Sequence, residues 1–261
     1  MTWASAAGRV QGAVYDFGVR REWLARPAGR VLWGTDVGEL YASIRALGDL
    51  PAGASVLDVP CGGGVALRGL VGGSGRGDGR GRVAGLGRED GRGLMAESAQ
   101  ESGRKGRSRP AVVGGRRSAG VRYVGVDISG AMVARTRRRA ERLGLDGVEL
   151  VAADVGRLPF ADGVFDVCVC FNGLHCLSEP AVAVRELARC LRRGGRLVGD
   201  MVVSRAGRRQ DLAIAALRRA GLFGTGGTAG ELRDWLAGAG LRVERLEQSG
   251  AVVHFAAVTA S

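Results

Sequence analysis

The sequence predicts an α/β protein built on a doubly wound, mostly parallel sheet, with a helical cap at residues 1–50 ahead of a main domain at 51–261. Three observations carry this. Short apolar strand runs alternate with segments of helical periodicity. One run, FDVCVCF at 165–171, is apolar almost throughout, as a central parallel strand covered on both faces must be. The acids Asp58, Asp127 and Asp154 stand at the ends of three successive strand runs, the edge where such sheets hold ligands.

Taken in order, residues 1–50 read as helical, and their aromatics Tyr15, Phe17, Trp23, Trp33 and Tyr41 are expected to pack over one end of the sheet. SVLDV (55–59) is the first strand, and GGVALRGLV opens a helix behind it. Segment 72–120 then breaks the pattern. It holds 15 glycines in 49 residues, with 11 Lys or Arg against 5 Asp or Glu. So little apolar surface cannot offset the entropy of ordering, which predicts a disordered insertion. VRYVGVD (121–127) is the second strand, followed by a helix over 129–144 with Ser129 as N-cap and Gly144 as stop. VELVAAD (148–154) and FDVCVCF are the third and fourth strands. EPAVAVRELARCLRRGG (179–195) predicts a helix ending at Gly194, and RLVGDMVV (196–203) the fifth strand. Helices near 208–220 and 229–239 precede LRVERLEQ and AVVHFAAV, which alternate about Ser249-Gly250 as a terminal hairpin.

Composition narrows the function classes. The 261 residues suit one large domain or two small ones. No apolar run reaches the roughly 18–20 residues of a membrane span, and the first residues lack a signal-type apolar core, so a soluble cytoplasmic protein is expected. Five cysteines, an odd number without CxxC pairing, read as reduced thiols, and without clustered histidines no metal site is expected. The net charge of +12 resembles a nucleic-acid signal. Half of that excess lies in 72–120, and 37 of the 38 basic residues are arginine in a chain rich in Gly, Ala and Val, so no nucleic-acid partner is expected.

The chemistry concentrates after the strands. Asp58, Pro60, Cys61, Gly62, Gly63 and Gly64 form a tight turn whose missing side chains let backbone approach a ligand. Asp127 stands where a carboxylate accepts bonds from both ribose hydroxyls, a position about 20 residues beyond a glycine turn. It lies 69 residues after Asp58, and the 49-residue insertion accounts for all but 20 of them. Asp154 is placed for an exocyclic adenine amine, while Asn172 and His175 in FNGLHC face the same crevice. The turn lacks the third glycine of a pyrophosphate-binding fingerprint, which favours an adenosine ligand without pyrophosphate.

VLDVPCGGG, YVGVDISGAMV, AADVGRLPFADGVFDVCVCFNGLHCL, VRELARCLRRGGRLV and ELRDWLAGAGLRVERL together resemble the class I S-adenosylmethionine-dependent methyltransferases. The nearest group is the type 11 one that includes ubiquinone and menaquinone biosynthesis enzymes. The resemblance implies a Rossmann-like, seven-stranded sheet with an antiparallel last strand, and S-adenosyl-L-methionine as cofactor. It implies that the Asp58–Gly64 loop contacts the methionine moiety, Asp127 the ribose, and Asp154 with Val155 the adenine. Ile128 and Met132 would flank the adenine ring, and Asn172 would lie near the sulfonium. Pro60 replaces the family's usual first glycine, and Arg193 replaces the proline of its usual PGG. The expected acceptor is a small molecule, the expected assembly a monomer or homodimer, and His175 the candidate base. Two other readings remain open. One is an RNA or protein methyltransferase docking through the basic insertion, although FNGLH lacks the N/D-P-P-Y/F motif of amino-methylating nucleic-acid enzymes. The other is a cofactor-binding protein without catalysis.

Overall fold

The computed structural model describes residues 21–71 and 120–260. The expected disordered insertion, apart from Gly120, and the first 20 residues of the expected cap lie outside the described residues. Two helices open the described chain, α1 (Glu22–Leu32) and α2 (Gly38–Ala46), followed by a 3₁₀ turn at Leu47–Asp49. Strands β1 (Ser55–Asp58), β2 (Arg122–Asp127), β3 (Val148–Ala152), β4 (Phe165–Cys170), β5 (Leu191–Val202), β6 (Leu241–Ser249) and β7 (Val252–Thr259) form a single sheet in the order β3-β2-β1-β4-β5-β7-β6. The first five run parallel. β7 inserts antiparallel between β5 and β6.

Period-two alternation decides what covers this sheet. Val56 joins Leu67, Leu70, Tyr123 and Ala140 on one face, and its neighbour Leu57 joins Phe165, Leu187 and Leu232 on the other. Helices α3 (Leu67–Val71) and α4 (Gly130–Leu143) pack on the first face, α5 (Pro180–Cys190) and α7 (Ala229–Gly238) on the second. Cys168 and Cys170 point into the second face and Val167 and Val169 into the first, so the strand's unbroken apolar character fills two cores at once. Helix α6 (Arg208–Arg219) adds Ile214 to a smaller cluster with Val202 and Val252.

Local chemistry sets the helix ends. Gly144 closes α4 in the left-handed region at φ +64, donating to the carbonyls of Ala140 and Glu141. Pro180 begins α5, where its missing N–H would be unpaired anyway. Thr228 and Glu231 cap each other's backbone at the start of α7, an arrangement worth about 0.5–2 kcal/mol.

Two boundaries differ from expectation. α3 begins at Leu67 rather than inside the glycines, because Gly62 at φ +51 and Gly64 at φ +74 cannot continue a helix. α5 stops at Cys190 rather than Gly194, because Leu191 turns extended and pairs with Phe165, four residues before the expected end. Strand order reverses between β1 and β4, and this opens a crevice beyond their carboxyl ends. Gly120 re-enters at the opposite edge, where its carbonyl accepts the Gly53 N–H ahead of β1.

Candidate active site

Beyond the carboxyl ends of β1, β2 and β4 lies a cavity of about 410 Å³. Asp58, Pro60, Cys61 and Gly62 line it from the first loop, Asp127, Ile128 and Met132 from the second, Asp154 and Val155 from the third, and Asn172 from the fourth. Residues up to 114 positions apart in the chain therefore meet around one space.

Asp127 is the hinge pin of the arrangement. Its Oδ2 accepts the Gly62 N–H at 3.0 Å and its Oδ1 the Ser129 N–H at 2.8 Å. The end of β2 is thus stitched to the glycine turn 65 residues upstream. Burial raises its pKa and the two N–H groups oppose that rise. Each carboxylate oxygen retains a second lone pair for a ligand hydroxyl. Ser129 does cap α4 by position, but the bond that tethers its N–H comes from Asp127 and not from a serine hydroxyl.

The glycine turn is held from behind by α4. Thr136 Oγ1 donates to the Gly62 carbonyl at 2.7 Å, and Arg139 Nη1 to the Gly63 carbonyl at 3.0 Å. A Cβ on Gly62 would meet nothing within 4 Å, so this position is an open cradle facing the crevice. Gly64 is a correction. It does not line the cavity but closes the turn against α4, where a Cβ would sit 2.9 Å from Thr136 Cγ2. Asp58 is 2% exposed, and the buried Tyr123 hydroxyl donates to it. Burial pushes its carboxyl up to about 7, so it braces the loop as much as it faces the cavity.

On the far wall, Asp154 Oδ1 accepts the Gly156 N–H at 2.8 Å, a local turn that leaves the carboxylate exposed. Ile128 is 60% exposed at the cavity edge, an apolar surface that a flat ring would cover. The loop behind is pinned by Arg189, which donates to the carbonyls of Leu158 and Phe160 and pairs with Glu186 and Asp162.

His175 is the second correction. It lies in the 3₁₀ turn Leu174–Cys176, 1% exposed, and does not line the cavity. Its Nδ1 accepts the Val202 N–H at 3.2 Å, and its ring centroid sits 4.4 Å from that of Phe223. Burial lowers its pKa to about 3. It is a packed, neutral ring, and proximity to Asn172 in sequence does not bring it to the crevice.

Four residues of the site were not foreseen. Thr136 and Arg139 follow Met132 at helical spacing, so polar groups on an apolar stripe were the available signal. Asp200 is a lone acid in an apolar strand run. Tyr123 carried no signal.

The residues fit an adenosyl ligand: an open glycine cradle, a buried carboxylate beside it and an exposed apolar face share one cavity. Residues 105–199 match the family model of a methyltransferase domain, a span that includes β2 to β4 and most of β5. Over that span the chain resembles the S-adenosylmethionine-dependent methyltransferases. S-adenosyl-L-methionine is the cofactor of that family. The glycine turn lies outside the matched span, so its place in the site comes from the fold.

Among curated relatives, the chain is 42% identical over 82 residues to a demethylmenaquinone methyltransferase of Thermus thermophilus, covering 31% of this chain and 37% of that protein. It is 39% identical over 79 residues to a phosphatidylethanolamine N-methyltransferase of Cereibacter sphaeroides, covering 30% and 39%. The chain thus spans well under half the length of the relatives it matches. A solved S-adenosylmethionine-dependent methyltransferase from Aquifex aeolicus shares the fold at 18% identity with a TM-score of 0.53, covering 90% of this chain and 94% of its own. Among the described residues, no helix is long and apolar enough to cross a membrane.

Proposed function

We propose that this methyltransferase moves a methyl group from S-adenosyl-L-methionine to a small-molecule acceptor in the cytoplasm. The observation that carries this reading is the convergence of Asp127, Asp154 and the Gly62 cradle on one cavity, which continues past Asn172 to Leu40, Val65 and Phe171. The first three groups suit an adenosyl ligand, and the apolar trio suits an organic acceptor rather than a polyanion.

When bound, the cofactor supplies a methyl on a sulfonium whose departure leaves a neutral thioether. What remains for the protein is to hold two reactants in line and exclude water, a contribution of up to roughly 7–11 kcal/mol. Asp127, held by the Gly62 N–H, would take the ribose end, Ile128 and Met132 would flank the ring, and Asp154 with Val155 would take the adenine edge. Asp58, Pro60, Cys61 and Asn172 border the methionine end. Helix α2 closes the acceptor end through Leu40. With His175 turned into the core, the acceptor that suits this site attacks without a histidine base. The two relatives are named for a quinone and for a phospholipid nitrogen, so the accepting atom is not transferred from them.

The test is to incubate the full chain with methyl-labelled S-adenosylmethionine and a cytosolic metabolite extract, then identify labelled products by mass spectrometry. A labelled small molecule that disappears with Asp127→Ala supports the reading. Label found only in RNA or protein overturns it.

A further inference from the structure

Asn172, at the end of β4, holds a backbone conformation that side chains rarely adopt, with φ +53. Asparagine tolerates this better than most residues, yet such a turn persists only where its surroundings enforce it. Both of its backbone polar groups are held. Its N–H donates to Asp200 Oδ1 at 3.0 Å, and its carbonyl accepts the Cys176 thiol at 3.8 Å. On the other side, a Cβ on Gly173 would lie 2.3 Å from Pro60 Cδ and 2.8 Å from Cys170 Sγ, so the glycine loop presses directly on this turn. Asn172 is wedged between the cofactor loop and strand β5.

Asp200 is the acceptor of the Asn172 N–H. It is 2% exposed near the carboxyl end of β5, and among the described residues no arginine or lysine forms an ion pair with it. Burial pushes its carboxyl up to about 7. The titratable groups around it are Tyr41 on α2, Cys170 on β4 and His254, opposite in register on β7. Burial holds the first two above their usual values and the histidine below, so all three favour their neutral forms and none compensates a carboxylate. A buried acid with one hydrogen bond costs stability against an apolar side chain. Its presence points to the residue it touches.

We propose that Asp200 is a positioning residue for the cofactor cavity: by accepting the Asn172 N–H it sets the left-handed turn that presents Asn172 to the cavity beside Pro60. The assignment rests on the S-adenosylmethionine reading of that cavity for its consequence, but not for its geometry. The loop after β4 and the glycine turn after β1 then form one unit, tied to β5 at Asn172 by the Asp200 carboxylate.

The test uses the full chain and two readouts. Without ligand, hydrogen exchange at the Asn172 amide, followed by NMR, should be at least tenfold faster in Asp200→Ala, with the Leu57 amide unchanged. By calorimetry, Asp200→Ala should bind S-adenosylmethionine at least tenfold more weakly. Asp200→Asn, which keeps an acceptor oxygen, should stay within threefold of wild type. In an Asn172→Ala background, Asp200→Ala should add less than a threefold loss, because the side chain it positions is gone. Unchanged exchange and affinity in folded Asp200→Ala, a full second loss in the Asn172→Ala background, or an Asp200→Asn as weak as Asp200→Ala overturns the proposal. Should Asp200→Ala fail to fold, Asp200→Ser is read against the same criteria. A wild type that binds no S-adenosylmethionine removes the cofactor reading, while the amide exchange still decides whether Asp200 holds the turn.

Discussion

Replacing Asp127 by asparagine tests the site at the atom that joins its loops. Each carboxylate oxygen accepts one backbone N–H, Oδ1 from Ser129 and Oδ2 from Gly62. An amide offers a single acceptor oxygen, so in Asp127→Asn one of these N–H groups must face an NH₂ donor. Ser129 is two residues away and tethered, so the bond lost is the long-range one to Gly62. An orphaned buried N–H costs about 1–3 kcal/mol of stability. The lost charge also removes charge-assisted acceptors for a ribose diol, worth about 1.5–3 kcal/mol in binding. In affinity that is about tenfold to 150-fold. Calorimetry with S-adenosylhomocysteine measures the second effect, and guanidinium unfolding the first. A variant that binds within twofold of wild type and unfolds at the same midpoint would refute both the bridging role and the ribose assignment.

Three further outcomes follow from the same geometry. Gly64→Ala places a Cβ 2.9 Å from Thr136 Cγ2 at φ +74; denaturant titration should show a loss of about 1–3 kcal/mol, and wild-type stability would show that the turn can relax. His175→Asn should keep the label-transfer rate within about threefold while costing about 1–3 kcal/mol in unfolding experiments; a collapse of turnover with intact cofactor binding would restore the histidine as base. Asp200 has its carboxyl raised from 3.8 to about 7 in the folded chain, so its contribution to stability is complete below about pH 4 and is lost as pH rises through 7. Against Asp200→Asn, which has no such titration, wild type should therefore lose on the order of 3 kcal/mol of relative stability between about pH 5 and 8, and a difference that stays flat over that range would mean the carboxyl titrates normally.

Much of this was legible because it is local. Ser129 and Gly144 bracket α4, the serine by position and the glycine by its left-handed turn, and the acids at the ends of apolar runs fall on one edge because parallel strands align their ends. The spacing between the glycine turn and Asp127 became readable once the Gly/Arg-rich segment was discounted. What escaped depends on partners distant in sequence. Leu191 leaves the helix to pair with Phe165, a choice invisible in a run of arginines and glycines. His175 follows Asn172 by three residues, but the intervening 3₁₀ turn carries it under β5 to Val202 and Phe223. Gly64 belongs to the glycine motif yet serves helix packing, and only the approach of Thr136 reveals it. A carboxylate at position 127 is visible in the sequence, whereas the backbone N–H groups it gathers are not.

Titration calorimetry of the unmodified chain with S-adenosylhomocysteine bears most directly on the cavity as an adenosyl site. Saturable one-to-one binding, weakened in both Asp127→Asn and Asp154→Ala, is the predicted result. No heat at millimolar ligand, or binding indifferent to both substitutions, would contradict it.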